Sequence, residues 1–144
     1  MPAAATDRFV LDASVAVAWC FEDETTRFTE VVLNRLASGA EALVPSIWPL
    51  ELANALLVAE RRNRIAQAKI VGLLRHIVGL PITVMPISAL QAFEQILPLA
   101  RQRGLSQYDA TYLELALRSE LPLATLDGEL RRAASEIGVA LLTV

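Results

Sequence analysis

Short apolar runs alternate along the chain with longer stretches in which apolar residues recur at helical spacing. The runs are Phe9-Val10-Leu11, Ala42-Leu43-Val44, Ile82-Thr83-Val84, Pro122-Leu123-Ala124-Thr125-Leu126 and the stretch from Val139 to Val144. They are continuous in character and do not alternate with polar residues, as in strands covered on both faces of a parallel sheet. Between the first two runs, Phe28, Val31, Val32 and Leu36 make one stripe of a helix from Thr26 to Ala37, stopped by Gly39. Ser46 is expected to cap a long helix reaching Arg62 or Asn63, with Leu50, Ala53 and Leu57 in its apolar set, and a second helix of that pair covers about Ala66 to Val78. Ser88 opens a helix to Arg103 that Pro98 is expected to kink or split. Gly104 ends it. Two further helices follow, Ser106 to about Ser119 and Glu129 to Ile137. The pattern predicts one α/β domain over residues 1–144, with a parallel sheet of about five strands, a helical pair inserted after the second strand, and residues 1–7 as a flexible tail.

Composition narrows the setting. The single cysteine, Cys20, leaves no internal disulfide framework and suits a reducing compartment. No uncharged apolar stretch approaches the roughly 20 residues of a membrane span, and the first eight residues lack the basic-then-apolar pattern of a secretory signal. The expected location is the cytoplasm, with no membrane partner. The formal charge of −3 argues at first against a nucleic-acid ligand. Four carboxylates gathered at one site would reverse that, since setting their charge aside leaves the rest of the chain slightly basic.

Such a gathering is what the order of elements implies. Only five aspartates occur, and three stand at special points. Asp12 ends the first strand, Asp127 follows the fourth, and Asp109 lies in the first turn of the helix that feeds the fourth strand. Parallel strands point one way, so all three belong to the carboxyl edge of the sheet, where open α/β sheets place their ligands. Glu51 joins them as a charge within the apolar stretch Trp48-Pro49-Leu50-Glu51-Leu52-Ala53-Asn54, with Asn54 one turn further on the same helix face. Asp12 has two readings: a helix cap, which stabilises by about 0.5–2 kcal/mol, or a buried carboxylate that needs a cation. Like charges at close range oppose folding, so four together call for a compensating metal. All-oxygen ligands suit Mg²⁺ or Mn²⁺ rather than zinc.

Other chemistries fit poorly. The only histidine, His76, lies in an amphipathic helix without a partner histidine, and Cys20 follows Trp19 on an apolar helix. No G-x-x-x-x-G-K-[ST] or G-x-G-x-x-G stretch is present. A receiver domain would carry adjacent acidic residues after strand one and a late lysine. Here Ala13 and Ser14 follow Asp12, and the sole lysine, Lys69, is mid-chain.

Four stretches together resemble the PIN domain family, and within it the VapC toxins of bacterial toxin–antitoxin pairs. They are Val10-Leu11-Asp12-Ala13-Ser14 with Trp19 and the acidic Glu22–Glu24; Ser46 to Glu51 with Asn54; Leu105-Ser106-Gln107-Tyr108-Asp109-Ala110 with Tyr112, Leu115 and Ala116; and Leu123-Ala124-Thr125-Leu126-Asp127. The resemblance implies a PIN-like three-layer α/β/α sandwich and an endoribonuclease dependent on Mg²⁺ or Mn²⁺. Asp12, Glu51, Asp109 and Asp127 would be its acidic quartet, catalytic and metal-holding, with Ser14, Asn54 and Thr125 as polar support. It also implies a VapB-type antitoxin lying across residues 46–79. The apolar faces carrying Trp48, Leu52 and Leu56, and Ile70 and Leu74, are expected to be exposed there and able to pack in a homodimer. RNA would run along Arg61, Arg62, Arg64, Arg101, Arg103, Arg131 and Arg132. A catalytically idle PIN-like module that binds RNA or protein is the alternative, and the acidic site alone does not separate RNA from DNA.

Overall fold

The first apolar run forms the centre of the sheet. In the computed structural model, which describes residues 7–143, β1 (Arg8–Leu11) lies between β2 (Glu41–Pro45) and β4 (Leu123–Ala124), with β3 (Ile82–Met85) outside β2. All pairs are parallel; Val10 stands opposite Leu43 on one side and Leu123 on the other. Phe9, Val10 and Leu11 are wholly buried, which is why this run carries no polar alternation. The stretch expected as a fifth strand makes only one bridge, Leu141 opposite Leu123, supported by bonds from Leu123 N to Ala140 O (2.9 Å) and from Leu142 N to Leu123 O (2.8 Å). A two-residue β4 offers little edge to extend, so the sheet proper has four strands. Val144 lies outside the described residues.

Helices cover the sheet: α1 (Ala13–Trp19), α2 (Arg27–Ala37), the pair α3 (Trp48–Arg61) and α4 (Gln67–Val78), α5 (Leu97–Arg103), α6 (Gln107–Ser119) and α7 (Gly128–Glu136). α6 is buried in a continuous run from Ala110 to Ala116, the mark of a helix enclosed on every side. No helix among the described residues is long and apolar enough to cross a membrane. Of the expected tail, residues 1–6 lie outside the described residues. Asp7 is not free: Glu41 N donates to its carbonyl (2.9 Å) and Arg35 pairs with its carboxylate.

Three local expectations need amendment. Ser46 is exposed in the turn after β2, and α3 begins two residues later with Ile47 at its N-cap position and Pro49 in its first turn. Proline there fixes a helical φ where its missing N–H costs nothing, so the start needs no hydroxyl cap. The Ser88–Arg103 stretch does divide near Pro98, but into a π-helical segment (Gln91–Ile96) running directly into α5. Pro98 has no N–H for the Glu94 carbonyl and its ring would collide with it; widening the preceding turns relieves both. The third amendment concerns α3. Trp48, Leu52, Leu56 and Ala59 form its buried face, packed with α1, whereas Leu50, Ala53 and Leu57 face out. Trp48, Leu52 and Leu56 are therefore core, not an exposed partner face.

The corrected orientation gives a direct test. Leu56 is 1% exposed and Leu50 73% exposed. Leu56→Ala is expected to cost about 2–5 kcal/mol of unfolding free energy, and Leu50→Ala to stay within about 0.5 kcal/mol. Urea denaturation of both variants checks this; equal costs would reject the assignment of faces.

Candidate active site

β1 ends at Leu11, and Asp12 takes an extended conformation (φ −73°, ψ 145°) before α1 begins. Asp12 stands at the N-cap position of α1, yet its side chain makes no capping hydrogen bond there, and the Ser14 backbone is the weakest of the influences on its carboxyl. Its Oδ2 instead accepts from two hydroxyls, Ser14 Oγ at 2.7 Å and Thr125 Oγ1 at 2.7 Å. Ser14 Oγ accepts from Leu126 N (3.0 Å), and Thr125 Oγ1 accepts from Asp127 N (3.0 Å). Asp127 behaves differently: its Oδ1 caps α7 by accepting from Leu130 N (3.1 Å). The capping role therefore belongs to Asp127, and Asp12 is a buried carboxylate held by hydroxyls from two turns of the carboxyl edge.

The other two acids arrive on helices. Ser106 caps α6 by accepting from Asp109 N (3.0 Å), which sets Asp109, half-buried, in the first turn. Glu51, also half-buried, lies in the first turn of α3 and accepts a 2.5 Å hydrogen bond from the Tyr112 hydroxyl. Burial, chiefly, raises the pKa of Asp12, and the charge of Asp127 adds to it against the lowering effect of Thr125 and Ser14. Asp109 is raised by burial, then by Asp127 and Asp12. Glu51 is raised by burial and by Asp12 and Asp109, with the Tyr112 hydroxyl opposing. The four carboxylates thus share one field. Among the described residues, no arginine or lysine forms an ion pair with any of them.

The family model of the PIN domain matches residues 9–136. The chain belongs to the PIN domain family. Comparison with curated protein sequences finds no match. Among solved structures, the chain is similar to PAE2754 from Pyrobaculum aerophilum, at 24% identity and a TM-score of 0.69, over 92% of this chain and 87% of that one. It is similar also to a toxin–antitoxin complex from Klebsiella pneumoniae, at 16% identity and a TM-score of 0.61, over 93% and 96% of the two chains. A third is VapBC2 from Rickettsia felis bound to a DNA fragment from its promoter, at 15% identity and a TM-score of 0.64, over 94% and 97%. At these identities the likeness is one of fold.

On this PIN framework the seven candidate residues separate. Asp12, Ser14 and Thr125 form one hydrogen-bonded group, Asp127 is joined to it through its amide, and Glu51 and Asp109 enter by their charge. Asn54 is exposed and stands outside that group. Tyr112 is wholly buried, and its contact with Glu51 gives it a place that its sequence context did not disclose. The signs available were its place in the stretch that resembles the family and its position three residues after Asp109 on the same helix face. Among the described residues no three acidic, histidine or cysteine side chains close into a ready metal cage. The donor set nevertheless fits Mg²⁺ or Mn²⁺: oxygens only, a carboxylate of Asp12 with one oxygen outside its hydroxyl contacts, and neighbours whose charges repel. Such hard ions retain several waters and need only one or two direct carboxylates.

The raised pKa of Asp12 gives a stability prediction in the absence of metal. The folded state holds this proton more tightly than the unfolded chain does, so the contribution is stabilising at acid pH. It is lost as pH rises through the ordinary carboxylate value and then the higher folded one. Above the ordinary carboxylate value, keeping this carboxyl buried is a net cost. Asp12→Asn, whose amide oxygen can still accept from Ser14 and Thr125, is expected to melt higher than wild type near neutrality, the gap narrowing as the solution is acidified. Thermal melts across pH without divalent ions check this, and a lower neutral melting temperature for the variant would contradict it.

Proposed function

We propose that this PIN domain is an endoribonuclease dependent on Mg²⁺ or Mn²⁺ that acts in the cytoplasm as the toxin of a toxin–antitoxin pair. The observation that carries the reading is the unneutralised acidic field around the buried Asp12, at the edge of a parallel sheet. A protein does not keep four interacting carboxylates without a basic partner for stability alone. Asp12 and Asp109 would hold the ion directly, with Asp127 and Glu51 completing its surroundings. When bound, the ion would lower the pKa of water and offset charge developing on the phosphate. Ser14 and Thr125 fix the Asp12 carboxylate by its Oδ2, so its other oxygen has one direction in which to bind. Tyr112 fixes Glu51 in the same way and leaves its second oxygen available to hold water or accept a proton. No second histidine exists to form an acid–base pair with His76, so attack by the RNA 2′-hydroxyl without metal lacks its usual groups.

An antitoxin partner is supported by the fold, which is shared with a structure whose name gives a toxin–antitoxin complex. Its docking face would be α4, where Val71 and Val78 are exposed and bound a cavity of about 390 Å³ with Leu74 and Arg75, together with the outward Leu50 and Leu57 of α3. The same surface would serve a homodimer. A catalytically idle binding module gains from one observation, the lack of a closed metal cage among the described residues.

Asp12→Asn separates the two readings. Brief expression of wild type is expected to generate new RNA ends that the variant does not produce, while purified variant keeps its fold and its RNA affinity. Identical RNA-end profiles would reject the nuclease reading. Tyr112→Phe keeps the ring and removes the hydroxyl. It is expected to weaken Mn²⁺ binding or RNA cleavage by about 10–100-fold, as loss of a group orienting a metal-site ligand commonly does. Mn²⁺ titration followed by thermal shift checks it, and wild-type affinity together with wild-type cleavage would remove Tyr112 from the site.

A further inference from the structure

Beside the acidic centre, a cavity of about 430 Å³ is bounded by Phe28, Thr125, Leu126, Arg131, Leu142 and Thr143. Its volume falls within the range of small-ligand sites. Thr125 belongs to both places: its hydroxyl donates to Asp12, and its carbonyl accepts from Arg131 Nη1 at 3.1 Å. Whatever enters this cavity therefore lies one residue away from the carboxylate at the heart of the site. A second cavity, lined by Leu117, Glu120, Pro122 and Gly138, opens at the amino end of β4, opposite the acids, and has no bearing on them.

The arginines around the molecule are not equivalent. Arg64 is committed to Asp23 and Glu24, Arg103 to Glu136, and Arg132 to Glu129 and Glu136. Arg131 is half-buried and uses a single N–H on the Thr125 carbonyl. Among the described residues it has no carboxylate partner, although Asp127 precedes it by one helical turn. A guanidinium has five donors in a planar fork suited to phosphate oxygens. The walls next to it are an aromatic ring, Phe28, half-buried, and an aliphatic side chain, Leu126, 42% exposed on the loop that leads into Asp127. Aromatic and apolar walls with one cation are the recurring means of holding an unpaired nucleotide.

We infer that this cavity is a nucleotide subsite flanking the cleaved phosphate, with Phe28 and Leu126 against the base and Arg131 on the neighbouring phosphate. The inference rests on the nuclease reading and adds to it a location and a direction: single-stranded substrate leaves the acidic centre over the β4–α7 turn. It also answers the charge problem. A polyanion approaching four carboxylates gains from a cation placed one nucleotide away, where it offsets repulsion without neutralising the metal's ligands.

The test uses the full chain carrying Asp12→Asn and a short oligoribonucleotide with one 4-thiouridine. Ultraviolet crosslinks are expected in peptides containing Phe28, Leu126 or Thr143. Adding Arg131→Gln is expected to weaken binding by about tenfold and to reduce the salt dependence by about one single-strand phosphate contact, a slope change of about 0.7. Arg131→Lys should restore most of that slope, and Lys69→Gln, which removes a charge elsewhere, should not imitate the loss. Circular dichroism of each variant confirms that it is folded. Unchanged affinity in Arg131→Gln, or crosslinks confined to α3 and α4, would overturn the subsite while leaving the nuclease reading standing. Absence of cleavage by wild type, with no RNA binding by the parent variant, would overturn both readings together.

Discussion

An ionisable carboxyl buried at the end of a central strand is the constraint to which the rest of this molecule answers. Asp12 is 6% exposed, and burying an ion without partners is prohibitive. The solution is a pair of hydroxyls, one from the β1–α1 turn and one from the β4–α7 turn, both on the same oxygen. Their acceptor sides are used as well, by the amides of Leu126 and Asp127. Two turns far apart in sequence are thereby locked to each other by the group that most needs them. Hydrogen bonds to a charged acceptor are worth more than neutral ones, about 1.5–3 kcal/mol each, yet burial still wins, since the carboxyl remains raised above its ordinary range. A group kept at a net cost is a mark of a site shaped for a ligand.

The helices that deliver the other carboxylates are anchored by the core and not by the site. α6 is enclosed along Ala110 to Ala116, a run that includes Tyr112 itself, so Asp109 projects from a rod whose orientation does not depend on it. α3 packs its Trp48, Leu52 and Leu56 face inward, which turns Glu51 toward Tyr112. The Tyr112 hydroxyl is itself pushed well above its ordinary pKa by burial and by the Glu51 carboxylate, so it stays a donor. Rigid elements outside the site and repulsion within it make an arrangement that a divalent ion would relieve.

How far the sequence led follows from which constraints are local. Parallel-strand order, with acids following β1 and β4 and opening α6, placed three aspartates at one edge because every step depended only on neighbouring residues. The face of α3 was not readable that way. Leu50, Ala53 and Leu57 have helical period, and so do Trp48, Leu52, Leu56 and Ala59. Only packing against α1 chooses between the stripes. Tyr112 and Glu51 are 61 positions apart, so no spacing rule joins them. The fifth strand shrank to a bridge because sheet pairing depends on the partner's length as well as on propensity. Asn54 shares a helix with Glu51, yet being on the same helix did not bring it into the hydrogen-bonded group.

The carboxylates would account for the proposed hydrolysis of a phosphodiester but not for the choice of substrate. Phosphate oxygens are the same in RNA and DNA, and a hard metal ion reads only those oxygens. Selectivity must arise where sugar and base are held, which means surfaces bordering the acids and not the acids themselves. The β4–α7 turn is such a border, because Thr125 faces Asp12 with its hydroxyl and Arg131 with its carbonyl. On the proposed subsite, substrate discrimination and the integrity of Asp12 would be coupled through one residue. A change in the turn that improved the grip on a base would disturb the hydroxyl that keeps the central carboxylate in place, so this PIN domain is expected to vary its specificity through Leu126 and the cavity's outer wall before it varies Thr125.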